Sequence, residues 1–492
     1  MIDKSVLLLN LPFFDRNYLV HKEMQSGIGY KIIRAGDLTK KRKVLPICDL
    51  LYSAAILKKN KVNFYLDDDQ FYDSNDFDSY FSRLSKNSNN PHIIIIRTSF
   101  GTINSDIEIC KKLKKKWPNS KFIAYGPVFS SEEILELVKK HKFYDSIILS
   151  EIESVLMDIV NNKKIISGKY DLIAGEYLIK NKEVKYAEMD LIPPPAYDLV
   201  DYTQLDSLII QTQRGCPVGC SYCPYFLSQK NKFRAKKPQT VINELKYLTK
   251  NFHLKEITIH DPILSLDIRR LKEICNLIIE SKIEISWQCE THLNHIDEET
   301  LDLMKKAGCT KMSMGIESAN DNVLNMVNRR FKDWEKAKNI ISFCRKIGIK
   351  TRGYFLLGMP GDSVKGSYAS IELSKYLNLD EANFNLPIPI PGTDPYNRGM
   401  QLKLLDLDLK RKDPRSFFEE LSCHSSGNDL SLTRKITNRQ LNLIAKIAIH
   451  SFNYFKGKRG FLRVNFLKII IYRTIVLIEG FLVSLTPGSK VK

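Results

Sequence analysis

The sequence is short of three things at once: a regular cysteine framework, an apolar leader, and any long uncharged apolar run. Its ten cysteines are scattered over 492 residues without a small, evenly spaced set. That excludes a secreted disulfide scaffold and points to a reducing, cytoplasmic setting. Met1–Asp3 runs straight into the strand-like Ser5–Asn10 and then Pro12, so no secretory leader is read there. The longest apolar stretch, Phe461–Leu485, is interrupted by Arg463, Lys468, Arg473 and Glu479. A spanning helix needs about twenty nearly uncharged residues, so a membrane span is not expected. Two readings of the stretch stay open: a helix packed on the body of the protein, or an interfacial helix making peripheral membrane contact through 461–485. The net charge of +19 is not read as a nucleic-acid footprint. Lysine is abundant throughout, and clusters such as Lys111-Lys112 and Lys114–Lys116 fall on the polar face of a predicted helix.

What is present is a globular composition, 43% apolar and 27% charged, over a length that implies two or three domains. Short apolar runs at Val6–Asn10, Val62–Leu66, Ile93–Thr98, Phe122–Tyr125 and Ser146–Leu149 alternate with helical patterns at Ile47–Lys59, Asn104–Lys116, Ser131–Lys140 and Glu153–Val160. Such alternation predicts an α/β, doubly wound parallel sheet over 1–162, with ligands at the carboxyl ends of its strands. A linker over 163–200 carries short, turn-rich strands and the stiff Pro193-Pro194-Pro195 run. From Leu208 a second series begins, with strands at 208–213, 256–260, 284–290, 311–316, 351–357 and 381–387 and helices in the gaps. Six strands with helical crossovers predict a partial (β/α)6, TIM-like barrel over 201–397. Residues 398–492 read as a mostly helical C-terminal region.

The strongest local signal is Gly215-Cys216-Pro-Val-Gly-Cys220-Ser-Tyr-Cys223, directly after the first strand of the second series. Three thiolates in one Gly- and Pro-containing loop suit one side of a compact metal cluster, iron–sulfur or zinc. Structural zinc needs a fourth ligand. The next cysteine, Cys275, lies on a predicted helix with no neighbouring partner, and Cys289, Cys309 and Cys344 likewise read as core residues. Three ligands on a four-iron cluster leave one iron open to a cosubstrate. This loop, with an aromatic residue before its last cysteine, resembles the CxxxCxxC loop of the radical S-adenosylmethionine (SAM) superfamily. The resemblance implies a 4Fe-4S cluster on Cys216, Cys220 and Cys223, and SAM on the open iron. It further implies reductive cleavage to methionine and a 5′-deoxyadenosyl radical that abstracts hydrogen from a substrate.

Later segments resemble that family in order, over roughly Asp190–Tyr396. Tyr222 is expected near the adenine. Asp261, after the second strand, resembles the acidic position facing the SAM amino group, although it can instead cap the Asp261-Pro262 turn. Gly315-Ile316-Glu317-Ser318 resembles the "GIES" signature, which places Glu317 at the ribose hydroxyls; a helix N-cap role for the Glu-Ser pair is the alternative. Gly358, in Leu357-Gly358-Met359-Pro360-Gly361, resembles the adenine-side glycine turn, with Asp362 standing where many relatives carry glutamate. Pro389–Thr393 resembles the closing "PxPGT" segment.

The preceding sheet, the Ser150-Glu151-Ile152-Glu153 turn (where relatives carry "GEGE") and the Pro193–Tyr197 linker resemble the cobalamin-binding radical SAM group. That implies a Rossmann-like, cobalamin-binding type domain and methyl transfer, or a related modification of an unactivated carbon; cyclases are also members. The departures are plain. The loop Asn10–Asn17 has no cobalt-ligating histidine, and Gly126-Pro127 stands where relatives often carry a glycine pair. Two readings stay open: cobalamin held without that histidine, or a degenerate domain that no longer binds it. The implied partners are a small-molecule, hydrophobic substrate and an electron donor such as flavodoxin or ferredoxin. The competing class is a non-catalytic iron–sulfur or electron-transfer protein.

Overall fold

The computed structural model describes residues 5–478 apart from 13–17, 22–30, 35–45, 73, 75, 100–101, 140, 142, 164–168, 174–175, 180–184, 206, 224, 254–255, 330, 405–430 and 458–467. The described residues divide into two units: those of Met1–Pro217 with Pro224–His260, and those of Val218–Cys223, Asp261–Arg411 and Cys423–Lys492.

The first unit holds strands β1 (Ser5–Asn10), β2 (Tyr18–His21), β3 (Lys31–Arg34), β4 (Asn63–Asp68), β5 (Ile93–Arg97), β6 (Lys121–Tyr125), β7 (Ser146–Ile148), β8 (Lys169–Ile173) and β9 (Glu176–Ile179). Its later strands are β10 (Leu208–Ile210), β11 (Gln213–Arg214), β12 (Arg234–Ala235) and β13 (Glu256–Ile259). Helices α1 (Cys48–Lys59), α2 (Phe77–Asn87), α3 (Ile103–Lys116), α4 (Glu132–Lys139), α5 (Leu156–Val160), α6 (Tyr225–Gln229) and α7 (Pro238–Asn251) alternate with them. One sheet runs β4-β1-β5-β6-β7-β8-β9, parallel from β4 to β7. The four consecutive isoleucines of β5 are all buried, because a central parallel strand is covered on both faces. Strand order reverses at β1, which marks the crevice beyond Asn10 and Arg97 as the natural ligand edge.

Two features depart from the sequence reading. Helix α2 carries little apolar signal, since only Tyr80 and Leu84 are buried; Asp76 starts it by accepting from the Ser79 N–H at 2.8 Å. The strands read in the linker extend the sheet, β8 pairing antiparallel with β7 and β9 with β8. The Pro193–Tyr197 segment ends on a fully buried Tyr197. Its hydroxyl donates to the Ile209 carbonyl at 2.8 Å and accepts from the Ile209 N–H at 2.7 Å, stapling β10. Strands β10 and β13 pair in parallel.

The second unit holds β14 (Ser286–Thr291), β15 (Cys309–Glu317), β16 (Lys350–Leu356) and β17 (Glu381–Asn385), paired in parallel in that order. Its helices are α8 (Ile268–Glu280), α9 (Glu298–Lys306), α10 (Asp321–Met326), α11 (Trp334–Ile347), α12 (Val364–Tyr376), α13 (Asp394–Gln401) and α14 (Asn438–Phe455). All six expected strands of the second series, and the helices in the five gaps between them, are therefore present, within one to three residues of their expected limits for most. Residues 468–478 are helical. Ile469 and Val476 are buried, Arg473 stacks over Tyr368 at 5.5 Å, and Ile470, Ile471, Leu477 and Ile478 are exposed. The rest of Phe461–Leu485 lies outside the described residues.

Candidate active site

Hydrogen bonds fix both limbs of the cysteine loop. In the first unit the Gly215 N–H donates to Gln229 Oε1 at 3.0 Å and the Cys216 N–H to the Lys230 carbonyl at 3.2 Å. Gly215 sits at φ +81°, and a Cβ there would lie 2.0 Å from the Lys232 carbonyl oxygen, so the position admits only glycine. In the second unit the Ser221 N–H donates to the Val327 carbonyl, the Cys223 N–H to the Cys220 carbonyl, and Asn328 Nδ2 to the Gly219 carbonyl. Cys220 is buried; Cys216 and Cys223 are partly exposed. Among the described residues no three His, Cys, Asp or Glu side chains already converge as a metal site. The fit to an iron–sulfur cluster rests on the donor set, three soft thiol ligands on one pinned loop, and on the Ser221 hydroxyl, which is buried without a partner.

Around Cys220 the second unit assembles a buried polar group. Arg329 directs Nη1 at Cys220 Sγ, 3.7 Å away, and Nη2 at the Gly315 carbonyl at 2.5 Å. Glu317 ends β15 at φ +69°, is buried, and is hydrogen-bonded by Tyr222. Burial pushes the Glu317 carboxyl up, and Arg329 and Tyr222 pull it part of the way back. Burial works against the Arg329 charge, but Tyr222, Glu317 and Cys220 outweigh it and hold the guanidinium protonated. Tyr222 and Leu356 pack on Val323, Val327 and Met359. Two residues singled out in the sequence, Tyr222 and Glu317, are thus brought together. Arg329, the hub between them and Cys220, was missed; it lies in the loop after α10, where nothing local distinguishes it from other arginines.

The remaining expectations fare differently. The N-cap alternative for Glu317-Ser318 is set aside, because Asn320 caps α10 by accepting from the Asn322 N–H. Asp261 is fully buried directly after β13 and close to Cys289. Gly358 has a packing reason of its own: at φ +79° its Cβ position lies 2.6 Å from Leu441 of α14, and its N–H donates to Asp362 Oδ2 at 3.0 Å. Asp362 also accepts from the Ser363 N–H and the Ser367 hydroxyl, so it organises that turn. His292, one residue past β14, was missed as well. Burial drives its imidazole down to about 3, with Arg329 and His295 adding to the effect, so it is neutral at physiological pH.

At the ligand edge of the first sheet the Tyr125 hydroxyl is buried without a partner. Gly126, at φ +143°, passes so close to Thr98 that a Cβ would lie 2.1 Å from its carbonyl oxygen. Residues 13–17 of the β1 loop lie outside the described residues.

A doubly wound sheet followed by strand–helix repeats that open on a three-cysteine loop is similar in fold to solved cobalamin-dependent radical SAM enzymes. Residues 210–366 match the family described as Radical SAM superfamily. An uncharacterized methyltransferase of Pyrococcus horikoshii is 30% identical over 210 residues, 42% of this chain and 46% of that protein. Apo OxsB, a cobalamin-dependent S-adenosylmethionine radical enzyme, superposes with a TM-score of 0.65 at 15% identity, covering 98% of this chain and 72% of that one. The radical SAM methyltransferase TsrM of Kitasatospora setae, with cobalamin and a [4Fe-4S] cluster bound, gives 0.57 at 16% identity, covering 69% and 68%. The chain spans about half the length of the curated relatives it matches. Among the described residues no helix is long and apolar enough to cross a membrane.

Proposed function

We propose that this protein is a radical SAM enzyme that transfers a methyl group to, or otherwise modifies, an unactivated carbon of a hydrophobic small molecule. Cys216, Cys220 and Cys223 would hold a 4Fe-4S cluster. When bound, the cluster supplies the electron that cleaves SAM to methionine and a hydrogen-abstracting 5′-deoxyadenosyl radical. The observation that carries the reading is the Cys220–Arg329–Glu317–Tyr222 assembly on one side of the cysteine loop. Arg329 provides a fixed positive charge beside a ligand sulfur, and its fork geometry suits a carboxylate such as that of SAM. Glu317 offers two acceptor oxygens to ribose hydroxyls, and Tyr222 orients it while covering the site with its ring. Asp261 would face the SAM amino group and Gly358 the adenine side. The domain limits proposed are 1–162, 163–200, 201–397 and 398–492.

For the first domain we favour cobalamin as the methyl carrier, supported by the shared fold and by the unpartnered Tyr125 hydroxyl at the ligand edge. One observation favours a second reading, radical chemistry such as cyclisation without cobalamin: Gly126 is already required by the Thr98 backbone and leaves no sign of a cradle. An electron donor such as flavodoxin or ferredoxin would reduce the cluster. The exposed apolar face of 468–478 supports peripheral membrane contact of a cytoplasmic protein.

The test is anaerobic reconstitution, reduction and incubation with SAM. Release of 5′-deoxyadenosine, abolished by replacing all three cysteines with alanine, supports the proposal; a fully loaded cluster that releases none supports the electron-transfer alternative. Cobalamin absorbance in the purified protein separates methyl transfer from other radical chemistry.

A further inference from the structure

The Ser150–Glu153 turn is conspicuous in sequence but has no part in the site described above. In the structure it holds the residue that leads into the cysteine loop. Arg214 is buried, and all three of its nitrogens are engaged. Nε donates to Gln211 Oε1 at 3.1 Å, Nη2 to Glu153 Oε1 at 2.7 Å, and Nη1 lies 3.4 Å from Glu151 Oε2. Arg234, paired with Arg214 across β11 and β12, donates to the same Glu151 oxygen at 2.8 Å, as does the Ala187 N–H at 2.8 Å. Two carboxylates and two guanidinium groups are therefore held out of water within a few ångströms.

Such an assembly is a poor way to add stability. Desolvating paired charges costs about what their attraction returns, and well-packed apolar side chains often do as well. The Glu151 Oε1 atom is moreover buried with no partner, a further cost. What paired charges do supply is orientation, since a planar guanidinium gripped at three nitrogens cannot rotate. One residue, Gly215, separates Arg214 from Cys216, and Gly215 is itself immobilised by the Lys232 carbonyl and Gln229. The anchored guanidinium and the pinned Gly215 together restrict the backbone on the N-terminal side of Cys216.

We propose that Glu151 and Glu153 are positioning residues that set Cys216 for cluster ligation by clamping Arg214. This assigns the N-terminal domain a direct role in assembling the metal site, whether or not it binds cobalamin. It rests on the reading that Cys216, Cys220 and Cys223 share a cluster.

The test uses the full chain with Arg214→Lys, which keeps the charge but loses the fork, and Glu153→Gln, which keeps the shape but loses the charge. Arg83→Gln, which breaks a partly buried ion pair with Asp67 and Asp69 elsewhere in the same unit, is the control for general destabilisation. Each protein is reconstituted anaerobically, iron is counted, and the loaded protein is treated with a thiol alkylating agent and mapped by mass spectrometry. Wild type should carry about four irons with all three cysteines protected. Both clamp variants should label Cys216 selectively, at least about tenfold faster than wild type, and hold clearly less iron than wild type, because two remaining thiolates cannot keep a four-iron cluster. The control should match wild type. Equal protection of Cys216 in wild type and both variants, or equal labelling of all three cysteines in variants and control, overturns the clamp. A wild-type protein that takes up no iron overturns the cluster reading on which it stands.

Discussion

Replacing Arg329 by glutamine should lower the reduction potential of the cluster. The guanidinium lies 3.7 Å from Cys220 Sγ in a buried setting. Two unit charges about 4 Å apart interact by about 4 kcal/mol at an effective dielectric constant of about 20. The extra electron is spread over the cluster, and Glu317 partly offsets the Arg329 charge, so about half of that is realised, ~2 kcal/mol. For a one-electron couple this corresponds to ~80 mV, since about 59 mV is a factor of ten. Arg329→Gln should therefore be harder to reduce by ~80 mV, whereas Arg329→Lys, which keeps the charge, should stay close to wild type. An EPR-monitored redox titration of reconstituted protein without SAM measures it. A glutamine variant with full iron content and a potential within ~20 mV of wild type would refute the placement of Arg329 beside a cluster ligand.

Other consequences concern stability. Gly126→Ala must move the Thr98 carbonyl, which would lie 2.1 Å from the new Cβ, and adopt φ near +143°; it should destabilise the first unit by about 3 kcal/mol in denaturant unfolding. A cost below ~1 kcal/mol would show that the Thr98 carbonyl gives way easily. Lys236 and Glu244 form a fully buried pair at 2.6 Å. Lys236→Met alone should cost about 3–5 kcal/mol, while Lys236→Met with Glu244→Leu should return close to wild type; equal cost in single and double variants would show that packing rather than charge decides there. His292, lowered to about 3, remains neutral in the fold while the unfolded chain takes up a proton below about 6.5. Its contribution is thus complete above that pH and falls as pH drops toward about 3, by about 2 kcal/mol at about pH 5. His292→Gln should flatten the pH dependence of unfolding over that window, and an unchanged slope would show that His292 is not protected from protonation.

Much of the fold was legible because parallel strands buried on both faces leave continuous apolar runs, as the isoleucines of β5 do. Helix α2 was invisible for the opposite reason: it buries two side chains and shows mostly polar residues. The cysteine loop was readable since its three cysteines are neighbours in sequence. Glu317 and Tyr222 could be named singly, but their meeting depends on β15 ending beside the loop, which no short-range pattern encodes. Arg329 and His292 stayed hidden because each is an ordinary residue type whose burial next to charge is set by tertiary contacts. Gly126 and Gly358 were singled out for ligand approach, and each also has a packing reason that the sequence does not show: a Cβ there would meet the Thr98 carbonyl and the Leu441 side chain.

The proposed chemistry requires one iron left open by three thiolates and taken by SAM. Its most direct measurement is the EPR spectrum of the reduced, reconstituted protein with and without SAM. Binding at the open iron is expected to change the spectrum of the wild type and leave that of an Arg329→Gln variant less affected at equal SAM. A fully loaded wild-type cluster whose spectrum is identical at saturating SAM would contradict the account.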